Sequence, residues 1–151
     1  LKGVEVAESS DEPRARGWVG TLYNNIGWHY HGLGQYEKAL EAHRKCWDHY
    51  EQRGPGGHMA RIGKWSVAKQ LRCLGRLDDA LTMQRELARS YEELGEDDGF
   101  VQEEIGECLL AQGHAEDAKP HFARAYNLLK EIGWVAEDTK RIERLKELAG
   151  L

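Results

Sequence analysis

The chain has 151 residues, a formal net charge of −5 and three cysteines. That length suits one domain, and the acidic balance lacks the basic footprint of a nucleic-acid binder. No apolar run approaches the ~18 residues of a membrane span, so no membrane partner is expected. Cys46, Cys73 and Cys108 form no Cys-x-x-Cys pair, which fits reduced thiols and a cytoplasmic location.

Residues 1–12 read as an N-terminal tail or the remnant of an upstream repeat, since Leu1 and Val4 have helical spacing while Gly3 opposes a helix. Leu1 in place of Met is what a piece of a longer protein would show. Ser9 to Pro13 supplies a break and a cap. A first helix then runs from about Pro13 to His31 and a second from about Tyr36 to Arg53. Gly54-Pro55-Gly56-Gly57 is a loop. Helices follow from about His58 to Cys73, from Leu77 to Gly95, from the Glu96-Asp97-Asp98 cap to Ala111, and from Ala115 to Ile132. Pro120 is tolerated early in the last of these, and Gly133 stops it. A final helix covers about Val135 to Leu148, with Val135, Ile142, Leu145 and Leu148 on one face and charges on the rest. That one-sided pattern suits a genuine C-terminal cap of a repeat array.

A repeat underlies this order. Gly34, Gly75 and Gly113 each follow a helix, and five residues later come Ala39, Ala80 and Ala118. Seven residues before the glycines stand Gly27, Ala68 and Gly106, preceded by Ile26, Val67 and Ile105. Small residues at both crossing points let two helices approach closely, and the turn glycine supplies a backbone conformation that a Cβ would penalise. The pattern resembles the tetratricopeptide repeat. The first copy, residues 20–53, matches best, with Gly27, Tyr30, Gly34, Tyr36 and Ala39. The others have Leu71 and Leu109 in place of Tyr30, and the site of an aromatic in the second helix reads His43, Gln84 and Phe122. The turn glycines are 41 and 38 residues apart, against about 34 in the common repeat. This is similar to the long-helix repeats of kinesin light chains and bacterial peptide-sensing regulators.

The resemblance implies an all-α, right-handed α-solenoid of three helix-turn-helix repeats (about 13–53, 58–95 and 97–132) plus a capping helix over 135–151. It implies protein–protein interaction, with a partner peptide held in a concave groove lined by the first helix of each repeat. The groove candidates are Asn24, Asn25, Trp28 and His31 with Thr21; Trp65, Lys69 and Arg72 with Ser66; and Glu103 and Glu107 with Glu104. Trp65, Lys69 and Arg72 share one helix stripe. A Trp beside two cations suits an apolar side chain and a carboxylate, and in the related families an Asn at the place of Asn25 clamps peptide backbone. The acidic third copy departs from the cationic clamp of chaperone-binding repeats, so a chaperone C-terminus is not the expected ligand.

Trp28 and Trp65 equally suit packing between repeats, and Lys69 and Arg72 equally suit ion pairs with Glu103 or Glu107. An alternative to peptide binding is an assembly module that self-associates through Trp18, Val19 and Leu22 on the N-terminal face, or docks within a larger regulatory protein. No enzyme activity, cofactor or metal is expected. Gly57 to Trp65 resembles a P-loop only loosely, with the wrong spacing and Trp65 where Ser or Thr is needed. His43 and Cys46 lie one helical turn apart but lack further ligands at a recognisable spacing.

Overall fold

The structure is a computed structural model that describes Val4 and residues 18–151. Apart from Val4, the expected tail at 1–12 and the start of the first helix at Pro13 lie outside the described residues. Those described are all-α, with no strand among them, in the helical-repeat class expected. The chain divides into two compact units, Leu1–Gly75 and Arg76–Leu151.

The first unit holds α1 (Val19–Gly32), α2 (Tyr36–Arg53) and α3 (His58–Cys73). The α1–α2 turn depends on Gly34, whose φ is 72°. In that left-handed conformation the Gly34 N–H reaches the His31 carbonyl and the Gln35 N–H reaches that of Tyr30, which satisfies carbonyls left over at the helix end. The chain then reverses, and α2 packs back on α1. The crossing is close: a Cβ on Gly27 would lie 2.5 Å from the His43 ring. The next crossing, α2 on α3, is also made at a glycine, where a Cβ on Gly63 would lie 2.8 Å from the Trp47 Cα. At the N-terminal side Val4, Val19, Tyr23 and Cys46 are buried together, with Leu22, Ile26 and Tyr50 packed against them.

The second unit holds α4 (Leu77–Glu93), α5 (Gly99–Ala111), α6 (Ala115–Leu129), α7 (Gly133–Ala136) and α8 (Thr139–Leu148). Asp98 caps α5, its Oδ1 accepting the Val101 N–H at 3.0 Å. The α5–α6 turn repeats the α1–α2 chemistry: Gly113 has φ 85°, and the His114 N–H bonds the Leu109 carbonyl at 2.8 Å. Here Phe122 lies against Gly106, a Cβ on which would be 2.9 Å from the ring. Val101, Ile105, Phe122, Leu129, Val135 and Leu145 are fully buried.

Two expectations at the C-terminal end need correcting. α6 stops at Leu129 rather than Ile132, and Gly133 opens the short α7 instead of ending the helix before it. The final helix is not continuous from Val135 to Leu148 but breaks after Ala136. Asp138 starts a new helix by accepting the Arg141 N–H on its Oδ1 at 3.2 Å. A side chain that can cap competes with continuing the helix, and here the cap prevails. The break lets Val135 and Leu145 both bury.

Candidate functional site

Two consecutive first helices, α1 and α3, carry most of the expected groove residues. Trp28 on α1 and Trp65 on α3 are half-buried, with ring centroids 6.0 Å apart and planes tilted by 45°. Trp28 is also edge-on to His43 at 4.6 Å and to His31 at 5.3 Å. The two tryptophans therefore pack between helices and still present surface.

Polar groups fix this cluster. The Trp28 indole N–H donates to the Asn24 Oδ1 at 3.2 Å. His31 Nδ1 and Gln70 Oε1 are 3.0 Å apart, joining α1 to the fully buried Gln70 on α3. Sequence reasoning missed Gln70, although a Gln one residue after Lys69 lies on the side of α3 turned away from the expected stripe. The Lys69 ammonium stands 5.1 Å from the centre of the Trp65 ring, a geometry that attracts a cation to the ring face. Asn25 is exposed, and Arg72 is half-buried in the last turn of α3. Ser66 is instead buried and donates to the Ile62 carbonyl at 3.0 Å. Thr21 is exposed, its hydroxyl 3.5 Å from that of Tyr50.

Beneath the cluster lies His43, fully buried on α2, with neither ring nitrogen hydrogen-bonded. Burial, and then the charge on His31, lower its pKa to about 4. Cys46, one helical turn from His43, belongs to the N-terminal core, where burial pushes its thiol up to about 11. Among the described residues no group of three His, Cys, Asp or Glu side chains is placed to hold a metal ion.

The acidic candidates lie in the second unit and are engaged there. Arg141 of α8 forms a two-pronged pair with Glu103, its Nε 2.9 Å from Oε2. Arg144 does the same with Glu107, its Nη2 3.2 Å from Oε2. Glu103 and Glu104 are buried rather than solvated. Arg141 is held even more firmly protonated than usual, first by its hydrogen bond to Glu103 and against the opposing effect of burial. The partners are 37 and 38 residues apart in sequence, a pairing that helical periodicity does not reveal.

At the N-terminal face Val19 is buried and Leu22 half-buried in the cluster with Val4. Trp18 is 58 % exposed. A cavity of about 440 Å³ on the outer side of α2 is lined largely by charges of both signs, Glu37, Lys38, Glu41, Arg44, Lys45 and Asp48. Two of its cations are already engaged: Lys45 pairs with Glu41 at 3.5 Å and stands 5.4 Å from the centre of the Tyr23 ring, and Lys38 stands 5.4 Å from that of Tyr30.

Residues 19–52 match the family model of the tetratricopeptide repeat. That span coincides with the α1–α2 hairpin, including its turn glycine, its close crossing and the ring packed over it. Residues 19–52 of the chain form a tetratricopeptide repeat. Such repeats as a class mediate protein–protein interaction and typically act as non-catalytic scaffolds. No curated protein matches the sequence. Among the described residues no helix is long and apolar enough to cross a membrane.

Proposed function

We propose that the chain binds an extended peptide segment of a partner protein on the α1–α3 face of the first unit. The observation that carries this reading is the half-buried Trp28–Trp65 pair with Lys69 over the Trp65 ring. An apolar side chain of the partner packs on the exposed indole surface, which is already fixed and therefore loses little freedom on binding. A carboxylate beside it meets Lys69 and Arg72, which lie on the same helix stripe. Asn25, exposed on α1, offers a donor and an acceptor to peptide backbone. Glu103 and Glu107 have a different role in this proposal: they hold α8 through Arg141 and Arg144.

The ligand class that follows is a short segment with an aromatic or large aliphatic residue next to Asp, Glu or a C-terminal carboxylate. A displayed random-peptide library panned on the protein should return such a motif, with the Lys69→Glu/Arg72→Glu variant as counter-selection. The double variant should lose the motif at least tenfold in affinity while keeping its helix content. Enrichment that survives both substitutions would reject this face as the binding site.

The alternative reading is self-association at the N-terminal face. The exposed Trp18 beside the Val4 cluster favours it.

A further inference from the structure

The buried histidine under the aromatic face is unlike its counterparts. His43, Gln84 and Phe122 occupy equivalent places in the three copies of the repeat. In the third copy an apolar ring covers the helix-A glycine, with Phe122 on Gly106. In the first copy the same place on Gly27 is taken by a ring that can acquire a charge. Its surroundings do nothing to accept that charge. His43 is fully buried, both nitrogens lack hydrogen-bond partners, and the Trp28 ring stands edge-on at 4.6 Å.

We propose that His43 is an acid-sensitive latch of the first repeat: neutral, it closes α2 onto α1, and protonated, it forces the two helices apart and disperses the Trp28–Trp65 face.

The groups around the ring leave a positive charge unsupported. From α1 it meets His31, and a positive charge there would oppose a second one. From α3 the cluster carries only cations, Lys69 standing over Trp65 and Arg72 in the last turn. Among the described residues, no carboxylate is one of the groups that act on His43. The ring cannot tilt toward α1 to find water, because the space a Gly27 side chain would fill is already its own. Protonation therefore requires the α1–α2 crossing to open.

The sign of the effect follows from linkage. The folded-state pKa of about 4 lies below the ordinary value of 6.5, so the opened hairpin binds a proton that the closed one does not. The closed form has its full stability above about pH 6.5 and loses it as the pH falls toward 4. One proton taken up per opening changes the opening constant by up to about tenfold per pH unit in that window.

The chain supplies its own controls, since Phe and Gln stand at this place in the other copies. The experiment is amide hydrogen exchange of the full chain between pH 7.5 and 4.5, corrected for the intrinsic pH dependence of exchange. It would be read on α1 and α2 for the native chain, His43→Phe and His43→Gln. In the native chain protection of α1 and α2 should fall by an added five- to tenfold per pH unit below 6.5. Either variant that remains helical at pH 7.5 should lose that added slope. If His49 on the same helix (lowered by burial and then by Arg53) were responsible, the variants would keep the slope. An unchanged slope in a folded variant overturns the latch. The readout needs no ligand, so it stands or falls apart from the peptide-binding proposal.

Discussion

A methyl group added at Gly63 and one added at Gly27 meet different obstacles. At Gly63 the new Cβ would be 2.8 Å from the Trp47 Cα, which is backbone and moves only with the whole of α2. At Gly27 it would meet the far end of the His43 ring at 2.5 Å, a side chain that can yield by a small shift within its buried site without reaching water. Overpacking a tight core costs about 1–3 kcal/mol. Gly63→Ala should fall at the upper end of that range and Gly27→Ala below it, despite the shorter contact at Gly27. Urea unfolding of the two variants checks the order, and a reversed order would mean that α2 moves more readily than the ring. Much at this scale was legible in the sequence. The small residues at Gly27 and Gly106 and the turn glycines at Gly34 and Gly113 mark the crossings and turns, because no larger residue meets those demands. Gly63 was not singled out, since it stands outside the recurring pattern and its reason lies in the backbone of another helix.

Among elements, α8 is one whose placement rests on long-range charge. Its Leu145 is buried, but the two arginine pairs differ in surroundings. The side chains of Arg141 and Glu103 are 25 % and 9 % exposed, while Arg144 is half exposed at 51 %. Arg141→Met leaves a buried carboxylate without its partner and should cost about 2–3 kcal/mol, toward the lower end for a pair that retains some water. Arg144→Met should cost about 1 kcal/mol, less than Arg141→Met because Arg144 is half exposed, though Glu107 is only 16 % exposed. Adding Glu103→Gln to Arg141→Met should recover part of the loss. Thermal unfolding of the single and double variants measures all three, and equal losses from the two arginines would contradict the assignment. This pairing was hidden in the sequence, where the glutamates of α5 look like a solvated run. Whether a carboxylate is solvated depends on what the chain later lays against it. The break at Asp138 was more accessible, for Asp-Thr ahead of an amphipathic run is a helix start. The continuous spacing from Val135 to Leu148 concealed it.

For the whole molecule the open question is association. Trp18 is 58 % exposed beside a cluster that already includes Val4, Val19 and Tyr23. If copies of the chain join at this face, the native protein should scatter light as a dimer at tens of micromolar concentration, and Trp18→Glu should return it to a monomer. A monomeric native chain at those concentrations removes the self-association reading and leaves peptide binding in possession of the function. The all-α repeat class was legible because one turn pattern recurs and each recurrence supports the others. The composition of the α1–α3 face was only partly so. Periodicity gave the α3 stripe of Trp65, Lys69 and Arg72, but it could not show that Trp28 and Trp65 touch or that His31 reaches Gln70.

The closeness of those two indoles has an optical consequence. With centroids 6.0 Å apart and planes inclined by 45°, their transition dipoles couple, and excitation passes between them far faster than either emits. The pair should give a paired positive and negative band in the far-ultraviolet circular dichroism and partly depolarised emission. Neither signal is expected of an isolated tryptophan, so the face carries its own label. A peptide that parts the rings, or acid that releases them, would be seen directly in the unmodified chain.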